Sequence, residues 1–293
     1  MSWGEAACVR PVPRVTPRAP MSNRSASPMD IADLHHRTGW RVHMFEEVAS
    51  SSDEAARLRD AGATERIVVV ADRQTAGRGR GGHRFASPAG GLYASVVVRV
   101  RPAWMPGPLV AAVSLALAEV VEEAVGAPVQ VKWPNDLWID GKKVGGILLE
   151  ASLPVAGERG DPIPVIVGVG VNLREVPAEL PASVRAEVSA LDLHARTPVD
   201  RNALVARFLG RLDDRMADLE SEVGRTSLES AYRRRLALIG EPIRFLVGSE
   251  ERRGVLRDAS LSRGLRVEGA DGVERWLPLE HVREVRRAAG GPP

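Results

Sequence analysis

Apolar residues recur along this chain with two periods, and the switches between them mark out its elements. Residues 41–46 (RVHMFE) read as a short strand. After the serines at 50–52, the segment DEAARLRDAG reads as a helix. Ser51 as N-cap with Glu54 three positions on is a capping-box pattern, and Gly62 ends the helix. Residues 67–71 (IVVVA) and 92–100 (LYASVVVRV) are apolar runs of strand length, which marks buried strands. Pro108 opens a helix whose apolar positions 109, 112, 113, 117, 120, 121 and 124 fit one face. Residues 129–133 read as a strand, and 137–140 with 143–151 as a hairpin around Asp140-Gly141. Residues 163–173 are the last core strand, followed by helices at about 202–222 and 227–237. From about residue 240 the elements shorten: IRFLV, RGVLRD, GLRVEG and ERWLP lie between turns, with Asp271-Gly272 a further hairpin signal. That pattern predicts a small antiparallel barrel. No internal repeat is present.

Composition narrows the reading. At about 150 residues per domain, 293 residues suggest two domains. An apolar share of 44% is enough for a sizeable core. Lys plus Arg number 40 against 38 Asp plus Glu, a net charge of +2, so any basic function has to be local. A single cysteine, Cys8, excludes a disulfide framework and a Cys-based zinc site. The histidines show no ligand spacing. No apolar window is long enough for a membrane span, and the start has no apolar signal region, so the cytoplasm is the expected compartment. Residues 1–30 carry Pro11, Pro13, Pro17, Pro20 and Pro28 among Arg and Ser and read as a disordered tail. Met21 and Met29 are alternative start positions there.

Three segments carry candidate chemistry. Residues 72–91 (DRQTAGRGRGGHRFASPAGG) contain a G-x-G-x-x-G match at Gly77, Gly79 and Gly82. The next residues, HRFASPAGG, cannot be a helix, and the next acid is Glu119, so a dinucleotide reading fails. Bare backbone beside Arg78, Arg80 and Arg84 suits an anion. A solvated loop and an RNA contact stay open as alternatives. In residues 131–150 (VKWPNDLWIDGKKVGGILLE), Lys142 and Lys143 point to opposite faces, so one can face inward beside Gly145-Gly146. A solvated hairpin tip is the other reading. In residues 165–173 (VIVGVGVNL), Gly168, Gly170 and Asn172 share a face, which leaves a trench for something flat or for a close-packed helix.

QTAGRGRGG (74–82), SPAGGLYASV (87–96), KWPNDLWIDGKKVGGILLE (132–150) and GVGVNL (168–173) together resemble the biotin protein ligases over residues 42–285. The resemblance implies an α+β fold: a catalytic domain like that of class II aminoacyl-tRNA synthetases and lipoate ligases, a mixed sheet flanked by helices. A small C-terminal SH3-like β-barrel comes after it. The implied domains are a tail at 1–38, the catalytic domain at 39–238, the barrel at 239–287 and a tail at 288–293. It also implies a reaction. ATP activates biotin as biotinyl-5′-AMP, with Mg²⁺ bridging the phosphates, and the biotin passes to a lysine of a biotin carboxyl carrier domain of acyl-CoA carboxylases. Lipoate ligases and octanoyltransferases share the core, but KWPND with GRGRGG and a terminal barrel argues for biotin.

Site residues are assigned by position. Ser50, Ser51 and Ser52 stand where the family has Ser-Thr-Asn at the ureido end of biotin, and Gln74 matches a biotin-contacting glutamine. Arg78, Gly79 and Arg80 match the loop that folds over biotin and the adenylate phosphate, a loop expected to be mobile over 77–85 before ligand binds. Lys143 matches the lysine that holds the biotin carboxylate and α-phosphate, and Lys132 and Asp136 belong to KWPND, Asp136 near Mg²⁺ or the reacting carboxyl. Asn172 matches a residue near the adenylate phosphates, Phe85 lies beside adenine, and Leu92 to Ser95 with Gly145 and Gly146 wall the biotin pocket. The DNA-binding domain of regulatory members is not expected in the Pro-rich residues before the first strand, nor is a membrane partner. An exposed sheet edge could pair two subunits.

Overall fold

A computed structural model describes residues 31–63, 66–151, 161–278 and 281–288. The Pro-rich residues 1–30 and residues 289–293 lie outside the described residues. The chain begins with α1 (Ile31–Thr38), β1 (Arg41–Val48), α2 (Ser51–Asp60), β2 (Ile67–Gln74) and β3 (Leu92–Val100). It continues with α3 (Gly107–Val125), β4 (Gln130–Lys132), β5 (Asp136–Ile139), β6 (Lys142–Ala151) and β7 (Ile163–Val171). Then come α4 (Ala182–Ala186), α5 (Arg201–Asp218) and α6 (Glu222–Arg234). The last strands are β8 (Pro242–Val247), β9 (Glu250–Ser260), β10 (Gly264–Glu268), β11 (Glu274–Leu277) and β12 (Val282–Arg287).

The first sheet has seven strands in the order β1-β2-β3-β7-β6-β5-β4. β1 and β2 are parallel and the other pairs antiparallel, so the sheet is mixed. Strand alternation divides its side chains between two faces. Val68, Val70, Ala94, Val96, Val98, Val167 and Val169 enter the main core. There α3 packs on β6 and β4, with α5 and α6 behind it. This central position explains why α3 is buried almost all round, beyond the one face its apolar spacing predicts. The intervening positions Val69, Val97 and Ile166 form a smaller cluster with Ala55 of α2. On this second face α2 packs over β2, β3 and β7. The face continues past α2 over β7, β6 and β5, and that stretch becomes the candidate site.

The fold class expected from sequence is the one observed, with corrections. The tail expected over 1–38 is cut short by α1, whose Leu34 is buried and whose Thr38 hydroxyl donates to the Leu34 carbonyl at 2.6 Å. Eight residues with one buried apolar position give too weak a period to read. The helix cap is Ser50, not Ser51: Ser50 is extended (φ −153°, ψ 137°), and its hydroxyl accepts from the Ser52 N–H. Ser51 already lies in the helix, and its N–H and hydroxyl both donate to Gln74 Oε1, at 2.8 and 3.0 Å. The C-terminal strands form a five-stranded antiparallel sheet, order β11-β10-β9-β8-β12, whose two edge strands do not pair with each other among the described residues. By its hydrogen bonds the expected barrel is therefore an open sheet. It leans on the catalytic domain through α6 and β9.

Candidate active site

Cross-strand pairing builds the floor of a slot. Gly170 pairs with Tyr93 on one side and Gly146 on the other, and Gly146 pairs with Asp136. One row further, Gly168 lies between Ser95 and Leu148. The glycines keep this floor low. A Cβ on Gly170 would stand 2.7 Å from the Phe85 ring, and one on Gly168 would stand 3.2 Å from Ser52 Oγ. Both open readings of the glycine face thus hold locally: a helix start abuts Gly168, and a flat ring lies on Gly170. The cavity over this floor has a volume of about 860 Å³.

One end of the slot is lined with hydroxyls. Ser50, Ser51, Ser52 and Ser95 are all buried. Ser95 Oγ lies 2.8 Å from Ser51 Oγ and 3.1 Å from Ser52 Oγ. Gln74 accepts from Ser51 and donates through Nε2 to Ser87 Oγ at 2.9 Å, and Ser87 donates to the Phe85 carbonyl. The amide orientation is thereby fixed.

The other end gathers cations. Lys143 Nζ lies 2.6 Å from Asp136 Oδ1 and 5.7 Å from the centre of the Phe85 ring. Lys132 lies over the Trp138 ring at 5.1 Å. Burial pulls the Lys132 pKa below the ordinary lysine value; Asp136 opposes that, while Lys143 and Arg286 add to it. The Arg80 pKa is also lowered, chiefly by burial and then by the charge of Arg283, with Asp136 opposing. Like charges held together against burial have a use if a polyanion neutralises them.

The Gly/Arg loop is a small hairpin across the slot. Gly79 N–H donates to the His83 carbonyl at 2.7 Å and Phe85 N–H to the Gly77 carbonyl at 2.9 Å, with Gly81 and Gly82 left-handed at the tip. At its base the Phe85 ring sits edge-on to Tyr93, centroids 6.3 Å apart.

Of the residues singled out from sequence, Ser50, Ser51, Ser52, Gln74, Arg78, Gly79, Arg80, Phe85, Lys132, Asp136, Lys143 and Gly146 all line this cavity. Gly145 does not: it pairs with Val171, and strand alternation turns it to the core face. Its bare backbone serves packing, because a Cβ there would lie 2.7 Å from the Gly170 carbonyl oxygen. Asn172 is also absent from the lining. It lies past the end of β7, buried, and donates to the Ser189 carbonyl at 3.0 Å. Sequence reasoning missed Glu187, Arg283 and Arg286, which reach the rim from α4 and β12. A register shift in β12 between Arg283 and Arg286, with Glu284 at φ 49°, brings both arginines to the cavity. The run VREVRR was the available signal, but its position over the slot is tertiary.

The residues present do not make a protein-held Mg²⁺ site. Among the described residues no three His, Cys, Asp or Glu cluster as metal ligands. Asp136 already faces Lys143, and Glu187 lies 3.8 Å from Arg286. Mg²⁺ is satisfied by one or two carboxylates plus substrate phosphates and water, so an ion here would have to arrive with a nucleotide.

Residues 47–172 match the biotin/lipoate A/B protein ligase family. The chain is 32% identical over 250 residues to the biotin–[acetyl-CoA-carboxylase] ligase of Mycobacterium tuberculosis, covering 80% of this chain and 88% of that protein. It is 33% identical over 178 residues to the bifunctional ligase/repressor BirA of Bacillus subtilis, covering 60% of this chain but only 54% of that protein. Biotin protein ligase from Aquifex aeolicus in complex with biotin and ATP superposes with a TM-score of 0.69 at 25% identity, over 84% of this chain and 99% of that one. The glycine-floored slot and these similarities define a protein ligase fold, and the chain belongs to the biotin/lipoate A/B protein ligase family. Within that family its similarities lie with the biotin protein ligases. Among the described residues no helix is long and apolar enough to cross a membrane.

Proposed function

We propose that this chain activates biotin with ATP and transfers it to a lysine of a biotin carboxyl carrier domain, in the cytoplasm. The single observation that carries the reading is the polarity of the slot: hydroxyls and an amide at one end, cations at the other, glycines between. Biotin has matching parts, a flat ureido ring system that donates and accepts hydrogen bonds and a chain that ends in a carboxylate. Ser51, Ser52, Ser95 and Gln74 take the ring. Lys143 takes the carboxylate, and Lys143, Arg80 and Lys132 take the phosphates of ATP.

In the first step a carboxylate oxygen attacks the α-phosphorus. A P–O bond forms, the bond to the bridging β-phosphate oxygen breaks, and pyrophosphate leaves. Two anions must meet, so the cations lower the barrier by neutralising charge that grows on the phosphate oxygens. In the second step the neutral ε-amine of an acceptor lysine attacks the acyl carbon. The amide forms, AMP leaves with the bonding pair, and the amine loses a proton. Asp136, 2.6 Å from Lys143 Nζ, orients Lys143 at the reacting end. Mg²⁺ arriving with ATP would be held by phosphate oxygens and water, and would supply further positive charge there.

Incubation with ATP, Mg²⁺ and radiolabelled biotin or lipoate, in the presence of a biotin carrier domain and a lipoyl domain, tests the assignment. Label from biotin on the carrier-domain lysine is the expected result. Label from lipoate on the lipoyl domain, with none from biotin, would overturn it.

A further inference from the structure

By position in the sequence Arg78 belongs with the substrate, but its neighbours give it a different task. Its Nη1 donates to Asp53 Oδ1 at 2.7 Å, and its Nε and Nη2 donate to the two oxygens of Glu150 at 3.1 and 3.2 Å. Asp53 follows Ser51 and Ser52 in the first turn of α2, and Glu150 lies near the end of β6, the strand that carries Lys143. One guanidinium thus ties the loop to both banks of the slot. Exposed ion pairs taken singly contribute little, but a bidentate arginine within a three-residue network holds geometry. Burial works against the Arg78 charge, yet Asp53 and Glu150 outweigh it and raise its pKa above the ordinary arginine value. The trio carries net negative charge, which makes it a poor phosphate ligand. The base of the loop is equally constrained: a Cβ on Gly77 would lie 2.5 Å from the Phe85 carbonyl oxygen.

We propose that Arg78 is a positioning residue, a latch that with Asp53 and Glu150 holds the 77–85 hairpin, and with it Arg80, over the slot. The identity of the substrate rests on the ligase reading above; the latch itself needs no substrate.

The test uses the full chain with Arg78→Ala, the double variant Asp53→Asn/Glu150→Gln, and all three together. Trypsin cleavage after Arg80 and Arg84 is monitored without substrates, and KM and kcat for biotin are measured in adenylate formation. A latch predicts that the single and double variants each speed cleavage and raise KM by about two- to fivefold. It also predicts kcat within about twofold, and a triple variant no worse than the double, since both remove one interaction. The proposal is overturned if the double variant keeps parental cleavage and KM while Arg78→Ala loses binding, because Arg78 would then act on substrate directly. Should the parent chain form no biotinyl-adenylate, the ligase reading fails while the proteolysis arm still decides the latch.

Discussion

At the hydroxyl end of the slot, Ser50, Ser51, Ser52 and Ser95 are buried; Ser95 links Ser51 with Ser52, Ser51 reaches Gln74, and Ser50 accepts from the Ser52 N–H. At the other end, Lys132, Lys143, Arg80, Arg283 and Arg286 come from the catalytic sheet, the loop and the C-terminal sheet, and are shaped by attraction to Asp136 and by mutual repulsion. The first end is preorganised for a neutral, polar ring. The second is a charge excess that a polyanion relieves. A site that must first hold a small ligand and then bring two anions together needs both: rigidity where it recognises, stored repulsion where it reacts.

The largest test of this contrast is to remove charge from the reacting end. Lys143→Ala and Arg80→Ala should each slow pyrophosphate release about 10²- to 10³-fold, with thermal melting little changed because neither side chain is part of the apolar core. A normal rate in either variant would mean that the cations do not face the phosphates. Next is the floor between the two ends. Gly170→Ala places a Cβ against the Phe85 ring, and overpacking of this kind costs about 1–3 kcal/mol. Thermal denaturation should show that loss, and an unchanged melting curve would mean that the ring moves aside freely.

A smaller effect is expected at the hydroxyl end. Ser51→Ala removes the hydroxyl bonds to Gln74 and Ser95, at about 1 kcal/mol, which corresponds to roughly a fivefold rise in KM for biotin with kcat unchanged. A fall in kcat at constant KM would contradict a recognition role. The smallest effect is on pH dependence. Burial lowers the Lys132 pKa, so in the free protein its charge is lost at a lower pH than an ordinary lysine's. ATP affinity should therefore begin to fall on the alkaline side before ordinary lysines titrate, and Lys132→Met should flatten that early limb. For folding the sign is opposite to that of a stabilised lysine. The cost of the buried charge is fully present below the lowered pKa and fades as pH rises toward the unfolded value.

The two ends were also unequally legible in the sequence. The floor comes from short-range rules, alternation in VIVGVGVNL and a hairpin at Asp140-Gly141, whereas the serines before the helix were assigned to the ring end by the family resemblance. Alternation carried past the end of β7 put Asn172 on the slot face, whereas Gly145 was placed there by family position although alternation turns it to the other face of β6. The cation end needed contacts between distant segments. Nothing local to VREVRR shows that it borders KWPND, and nothing local to Arg78 shows that Asp53 and Glu150 claim it. The C-terminal strands were legible as strands, whereas closure of their sheet depends on edge pairing that short-range patterns do not encode.

The most direct measurement is exchange of labelled pyrophosphate into ATP, catalysed by the full chain with and without biotin. Exchange that requires biotin and disappears in Lys143→Ala is the predicted result. Exchange independent of biotin, or supported equally by lipoate, would contradict a slot built for one ring and one carboxylate.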